Sequence, residues 1–444
     1  MKYIWTVPVL PFYVLAKHRA LAVFLLVLTV SISPRIHVAT LRYGKLLDLR
    51  IEDFLIILLT ISWFTYSSVK HVKLYISPLG KPVLLYLLLA LLSTSVGLLM
   101  GWIELSRAFF FYLKEVEYFL MFFLTLNFIE DIKGLKVTLS GFLLGGLANG
   151  FYILYQFAFG KIGGMEDPNF VYRYYGVSML GESGPAITGI YFGLVLFLSA
   201  SLFVFVSNTI IRLISIVCVA FSVSGLIGSL SRTSILGVIV VLPAFFYLLV
   251  FLKQRRAKKM QTLMRVLLFS SVILLLVTTV FGYMKEKSPF TARFVYTGRE
   301  LLGRYYAERV QDVYAGYFKV IPQNPVTGSG KSITGQQSIA GLGLKRFYGE
   351  AHNYYLRILT EMGVVGLFMF GYIMFLIIKF SHRVFTDTLS YFRVIGLTCF
   401  ICTIFLLVTS LAQDVFIMAR TTELFWILVG LTMVAYRWKK AELV

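Results

Sequence analysis

The sequence predicts an all-α, polytopic membrane protein with about 12 transmembrane helices and one large, partly helical external loop. Apolar residues make up 58% of the 444 residues and charged residues only 14%, whereas soluble domains carry roughly 25% charged residues. The apolar residues fall in runs close to the roughly 20 residues that a helix needs to cross a bilayer. This composition excludes a soluble globular protein. With aromatic residues at 16% and only 11 prolines, it also excludes a disordered or collagen-like chain.

Twelve apolar runs predict the spanning helices, and the shorter run at 4–16 predicts an interfacial segment. The predicted spans are 20–40, 54–69, 82–101, 107–129, 136–159, 185–206, 213–230, 233–252, 266–283, 355–378, 393–411 and 421–437. Lys and Arg cluster in alternate short connections, most densely at 253–265. The positive-inside rule therefore predicts that these connections and both termini are cytoplasmic. The net charge of +21 is thus explained by membrane topology, and we predict no nucleic-acid partner.

The predicted chain has three parts. Residues 1–283 hold helices 1–9 and an external loop at 160–184, residues 284–354 form the large external loop, and residues 355–444 hold helices 10–12. A loop this long is uncommon in a compact protein, so we expect it to be folded and functional. The multi-pass pattern predicts a plasma (inner) membrane protein. Because the large loop is predicted to be external, we expect the functional site on the external, periplasmic face.

Within the large loop, residues 299–319 predict a helix with aromatic residues suited to the lipid headgroups, and the Gly/Ser/Thr-rich stretch 326–343 predicts irregular structure. The tripeptide Gly330-Lys331-Ser332 matches the end of a phosphate-binding P-loop, but Pro325 stands where that motif needs glycine.

The three cysteines lie in apolar runs and the five histidines form no zinc pattern. We therefore predict neither a metal nor another cofactor.

His352 is the strongest catalytic candidate, since it stands where the basic loop re-enters the membrane. A neutral imidazole accepts a proton from a hydroxyl near pH 7. Glu350 and Asn353 flank His352 and would fix its tautomer by hydrogen bonding. A capping or interfacial histidine is the alternative interpretation.

Three arginines are candidates for holding a phosphate group, because guanidinium matches phosphate geometry with two parallel hydrogen bonds. Arg232, next to Ser231, falls at an external junction between two apolar runs. Arg309 lies in the predicted loop helix, and Arg173 lies in the 160–184 loop. An arginine reaching to lipid headgroups or to solvent is the alternative in each case.

Two further charged pairs interrupt the apolar runs. Lys114 and Glu117 are three residues apart and are expected to pair on one helix face. Asp414 and Arg420 lie in the last external turn, and we expect them to form a local solvated pair.

The candidate residues stand in motifs that resemble the O-antigen ligase and O-antigen polymerase superfamily. The first motif is a His-Asn pair followed by two glycines (His352, Asn353, Gly363, Gly366). The second is an Arg separated by three residues from a Leu (Arg232, Leu236), and the third is an Arg about fifteen residues ahead of a Pro-x-x-Gly (Arg309, Pro325, Gly328). The fourth is an Arg separated by ten residues from a Gly (Arg173, Gly184). The resemblance implies a GT-C-like membrane glycosyltransferase that moves a glycan from undecaprenyl (polyprenyl) diphosphate to an acceptor hydroxyl. It implies His352 as base and Arg232 and Arg309, with Arg173, as ligands of the donor diphosphate.

The resemblance also implies inverting, metal-independent transfer, in which arginines stabilise the leaving diphosphate. The His-Asn pair favours the ligase type, whose acceptor is lipid A–core. A polymerase with a lipid-linked glycan acceptor uses the same chemistry and stays open, as does a protein O-oligosaccharyltransferase. A lipid-linked-glycan transporter or flippase is the alternative from a different class, although the sequence lacks the repeated halves typical of transporters.

Overall fold

The computed structural model describes residues 18–41, 45–71, 73–159, 184–229, 231–251, 315–334, 352–386 and 389–441. These residues form a bundle of α-helices with one β-hairpin. The elements are α1 (Arg19–Ile32), β1 (Arg35–Leu41), β2 (Lys45–Arg50), α2 (Ile51–Lys70), α3 (Gly80–Leu99), α4 (Leu105–Phe128), α5 (Ile132–Phe159), α6 (Pro185–Phe205), α7 (Thr209–Ser229), α8 (Arg232–Phe251), α9 (Ala315–Val320), α10 (Tyr354–Phe385), α11 (Ser390–Thr409) and α12 (Ala419–Ala441).

The helices confirm the prediction of an all-α polytopic membrane protein. Each predicted span overlaps a described helix, except 266–283, which lies outside the described residues. Eight of the described helices (α2, α3, α5, α6, α7, α8, α10 and α11) are long and apolar enough to cross a membrane. The α4 and α12 helices have 24 and 23 residues but carry several charged side chains, which lower their hydropathy.

The first predicted span, 20–40, is too long. The α1 helix ends at Ile32, just before Pro34, and residues from Arg35 onward form β1. Proline has no backbone N–H and disfavours helix in the residue before it, which explains the early end. The β1 and β2 strands pair antiparallel, with His37 opposite Asp48.

The α6 helix lies at the centre of the bundle. In the most apolar stretch of this helix, within residues 186–205, 94% of the residues are buried. Its small residues allow close packing, since Gly193 lies against the ring of Phe405 in α11. Phe197 packs edge-on against Phe405 with ring centroids 5.8 Å apart. The bundle core is therefore built on α6 and α11.

The side-chain contacts define two ends of the bundle. At one end, the start of α2 contacts α4 through Asp53 and Lys114, which are 2.8 Å apart. The α1 C-terminus contacts the start of α12, where Arg420 donates to the Ser33 carbonyl. The starts of α2, α4 and α12 and the ends of α1, α3 and α11 lie at this end. His352, just before the start of α10, lies here as well, and we call this the His352 end. At the opposite end, Arg19 at the start of α1 pairs with Glu130.

Candidate functional site

His352 lies at the entrance of α10, where the backbone is fixed by the next two residues. The Asn353 side chain accepts hydrogen bonds from the backbone N–H groups of Tyr355 (3.1 Å) and Leu356 (3.2 Å), so Asn353 is the N-cap of α10. Tyr354 donates its N–H to the Ser410 carbonyl at the end of α11. His352 itself is half-buried and has a positive φ of 47°. The N-cap and the hydrogen bond to Ser410 together fix the position of the backbone next to His352 on the bundle.

The α10 helix is sharply kinked at Gly363, whose φ of 66° and ψ of −167° are accessible to glycine almost alone. The kink frees the backbone N–H groups of Val364 and Val365 from the helix. These groups donate to the carbonyls of Pro325 (2.8 Å) and Val326 (3.4 Å). A peptide segment more than 30 residues away thus takes the place of a helical turn.

The same segment also satisfies the carbonyls that the kink leaves open. Ser329 and Gly330 donate their N–H groups to the carbonyls of Thr360 and Glu361, each at 2.9 Å. The Ser93 hydroxyl of α3 donates to the Glu361 carbonyl as well. The Pro325-x-x-Gly328 motif and the Gly363 motif are therefore two halves of one docking contact, which explains why each needs its glycine.

A buried set of five charged residues, the loop cluster, surrounds this contact. Its members are Glu115, Lys331, Arg357, Glu361 and Asp414. The Lys331 ammonium lies 2.9 Å from Glu115 and 3.2 Å from Glu361. Arg357 lies 3.1 Å from Glu361 and 3.6 Å from Asp414. The loop cluster ties the 324–334 segment to α4 and α10, and α10 to the turn before α12.

Lys331 remains charged in this environment. Burial opposes its protonated form, but the attraction of Glu115 and Glu361 outweighs burial and raises the pKa of Lys331 above its usual value. The Glu361 carboxylate also accepts a hydrogen bond from the Thr334 hydroxyl at 2.6 Å. These cations and carboxylates compensate one another's charge, so the loop cluster is a structural support for the entrance of α10.

Arg232 is the first residue of α8 and is exposed. The preceding Ser231 is buried, and its carbonyl accepts the N–H of Ile235 at 3.0 Å. The hydroxyls of Ser231 and Ser234 are 2.8 Å apart. Ser231 therefore caps α8 and fixes the position from which the Arg232 guanidinium extends.

The structure brings the His352 and Arg232 segments to the same end of the bundle. Gly237, in the second turn of α8, lies against Thr409 and Phe405 near the end of α11. Tyr354 is bonded to Ser410, the residue that follows Thr409. Both candidate segments thus border the C-terminal end of α11.

The remaining candidates lie outside the described residues. These are Arg173, Arg309 and Glu350, and their roles remain predictions. Of the predicted loop helix 299–319, the structure describes Ala315–Val320, which is helical. Tyr317 there is buried, whereas Phe318 is exposed.

A second set of charged residues, the hairpin cluster, is buried or half-buried at the His352 end, and the sequence predicts only one of its pairs. It comprises Arg50, Glu52, Asp53, Lys114, Glu117 and Glu423. The predicted pairing of Lys114 with Glu117 is confirmed, with 2.8 Å between their charged atoms. Arg50 lies 2.9 Å from Glu52 and 3.8 Å from Glu423, so this cluster fastens the β-hairpin to the bundle.

The expectation that Asp414 and Arg420 form a solvated pair is wrong, because both are 2% exposed. Asp414 faces Arg357 and Arg420 reaches Ser33. Sequence reasoning does not identify Arg357 and Glu361, and it considers Lys331 only in the discounted P-loop match. An arginine and a glutamate four residues apart in the otherwise apolar first half of α10 are a signal that indicates this ion pair.

Within the described ranges, no group of three or more His, Cys, Asp and Glu side chains is arranged to hold a metal ion. The cavity beside the loop cluster, lined by Tyr86, Glu115, Tyr118 and Tyr354 among others, has about 20 Å³ for water and is too small for a sugar.

The fold and the site define a multi-pass helical membrane protein with a histidine and an arginine at one end of its bundle. Residues 217–371 match the family described as O-antigen ligase. This match confirms the resemblance to the O-antigen ligase superfamily and supports a membrane glycosyltransferase of the O-antigen ligase or polymerase type. It covers roughly a third of the chain, from within α7 to within α10. Comparison with curated proteins gives no match.

Proposed function

We propose that the protein transfers an oligo- or polysaccharide from undecaprenyl (polyprenyl) diphosphate to a hydroxyl of lipid A–core on the external face of the plasma (inner) membrane. One observation carries the proposal. The family match contains both Ser231-Arg232 and His352-Asn353, and these two segments border the same end of α11.

In the proposed reaction His352 is the general base. It accepts the proton of the acceptor hydroxyl while the hydroxyl oxygen attacks the anomeric carbon of the donor sugar. The bond from that carbon to the diphosphate oxygen breaks, and the electron pair leaves with the diphosphate. Attack from the face opposite the leaving group inverts the anomeric centre.

The arginines serve the leaving group in this proposal. As the glycosidic bond breaks, negative charge grows on the diphosphate, and fixed guanidinium groups stabilise it. Arg232 is suited to this task because it is exposed, whereas Lys331 and Arg357 are buried against carboxylates of the loop cluster. Arg309 and Arg173 are proposed to share the diphosphate with Arg232.

Four other residues support the proposed site. Asn353 caps α10 behind His352, and Gly363 permits the kink that seats the 324–334 segment. Ser231 caps α8 behind Arg232. Glu350 is proposed to orient the His352 imidazole.

The test is reconstitution of the purified protein in liposomes with a polyprenyl-diphosphate-linked glycan and lipid A–core. We expect glycan attached to lipid A–core and release of polyprenyl diphosphate. Elongation of the lipid-linked glycan instead, with lipid A–core untouched, would replace the ligase assignment by the polymerase. Transfer of intact donor across the bilayer with no new glycosidic bond would contradict both and identify a transporter.

A further inference from the structure

A pocket of about 420 Å³ lies at the end of the bundle opposite His352. The ends of α2, α4 and α12 form its walls together with the start of α1 and the segment before α3. Its volume falls in the range of small-molecule sites, about 300–1,000 Å³. His352 and Arg232 lie at the other end, so this pocket is separate from both of them.

The pocket is positively charged. Arg19, Lys73 and Arg437 line it, and among the residues that the structure describes Glu130 is its one acidic lining residue. Glu130 is already paired with Arg19. Lys73 is exposed and makes no ion pair with any residue that the structure describes. The pocket therefore offers two positive charges beyond the Arg19–Glu130 pair to a ligand.

Aromatic rings complete the lining of the pocket and contact two of its arginines. The Arg19 guanidinium stacks 4.0 Å from the centre of the Tyr66 ring, and the Arg437 guanidinium lies 5.0 Å from the Tyr75 ring. Trp63 and Trp438 complete the aromatic lining. Tyrosine, tryptophan and arginine at a helix end are typical of the lipid headgroup level.

Hydrogen bonds within the protein hold the pocket residues in place. The Asn127 side chain accepts the N–H of Tyr75 at 2.9 Å and donates to the carbonyls of Tyr75 and Phe123 at 3.3 and 2.9 Å. Arg437 donates to the Ile129 carbonyl at 3.2 Å. A preformed site of this kind loses little conformational entropy when a ligand binds.

We propose that this pocket binds the phosphate head group of an anionic phospholipid in the membrane leaflet opposite the His352 end. The phosphate oxygens accept hydrogen bonds from Lys73 and Arg437. The aromatic rings contact the glycerol and the first methylene groups. A zwitterionic lipid satisfies the pocket less well, because its choline cation meets the same positive charges.

The experiment is native mass spectrometry of the full-length protein in detergent, titrated with phosphatidylglycerol or with phosphatidylcholine. We expect wild type to retain phosphatidylglycerol and to lose phosphatidylcholine. Lys73→Gln and Arg437→Gln are each expected to weaken phosphatidylglycerol binding about fivefold, the usual effect of one basic residue near an anionic lipid. Lys73 is exposed, so Lys73→Gln should unfold at the wild-type temperature.

The matched control is Lys70→Gln. Lys70 is an exposed cation at the end of α2, three residues from Lys73, and is not among the pocket residues. Equal retention of the two lipids, or equal loss in Lys70→Gln and Lys73→Gln, would overturn the proposal. Displacement of the lipid by soluble glycerol phosphate at equal concentration would overturn the assignment to a lipid.

Discussion

Charged side chains at the His352 end occupy two environments. Lys331 and Arg357 are buried and face carboxylates, so their charges are already compensated. Arg232 is exposed at the start of α8. An exposed guanidinium in this position is accessible to a phosphate group from solvent, whereas breaking a buried ion pair costs several kcal/mol. At the scale of single residues, we therefore propose the exposed arginine as the donor ligand and the buried cations as supports.

Replacing Arg232 tests this division. Arg232→Ala should weaken donor binding by about 1.5–3 kcal/mol, the usual contribution of a hydrogen bond to a charged group. Arg232→Lys should recover only part of the affinity, because an ammonium lacks the planar fork. Binding of a labelled polyprenyl diphosphate measures both. Lys379→Ala, which removes an exposed cation in the second half of α10, is the control. Unchanged affinity in Arg232→Ala would remove Arg232 from the site.

Lys331 should affect stability rather than donor binding. Lys331→Met leaves Glu115 and Glu361 buried without their shared cation and should lower the free energy of unfolding by about 3–5 kcal/mol. Adding Glu115→Gln should restore part of the loss, since it removes one of the stranded charges. Thermal unfolding in detergent measures the effect, and loss of donor affinity without loss of stability would contradict it.

The stabilisation by Lys331 should also depend on pH in a defined direction. Because its pKa is raised in the folded protein, the contribution is complete below the usual lysine pKa of about 10.4 and is lost as the pH rises through the raised value. The difference in stability between wild type and Lys331→Met should therefore stay constant from pH 6 to about pH 9. A gap that closes below about pH 9 would contradict the assignment.

At the scale of the element, the kinked α10 is the feature that the sequence does not reveal. Hydropathy predicts the helix, because residues 355 to 378 are predominantly apolar despite Arg357 and Glu361. The kink depends on hydrogen bonds from the 325–330 segment, more than 30 residues away, and glycine is common in membrane helices without kinks. The resemblance named Gly363 and Gly328, but only the three-dimensional contact explains them.

Gly363→Ala should disrupt this contact. An added methyl group would overlap the Val326 carbonyl, and the backbone at Gly363 is in a region that alanine avoids. We expect a loss of at least about 2 kcal/mol in unfolding free energy. Gly371→Ala on the same helix is the control, because an added Cβ there meets no atom within 4 Å. It should leave stability unchanged or raise it slightly. Equal effects of the two substitutions would contradict the docking contact.

At the scale of the whole molecule, the sequence predicts the helices well and the charged clusters inside the bundle poorly. Hydropathy depends on composition alone, so it locates α2 to α8 and α10 to α12. The loop and hairpin clusters join residues from up to four separate segments, and such pairing has no local signal. The same limit explains why Asp414 was expected to be solvated although it is buried against Arg357.

The predicted orientation of the bundle can be tested by cysteine labelling in intact cells. Gln323 is exposed in the loop predicted to be external, and Lys133 is exposed in a connection predicted to be cytoplasmic. The three native cysteines are buried and should give little background. A membrane-impermeant maleimide should label Gln323→Cys and spare Lys133→Cys. The reverse pattern would invert the topology and place the site in the cytoplasm.

The most direct test of glycan transfer with His352 as base is the turnover of His352→Ala in the reconstituted transfer assay. Turnover should fall about 10²–10⁴-fold while donor affinity stays close to wild type. His37→Ala, in β1, should change little. Wild-type turnover should fall on acidification, because a protonated imidazole cannot accept the proton of the acceptor hydroxyl. Full turnover in His352→Ala, or retained activity in His352→Arg, would contradict the base role.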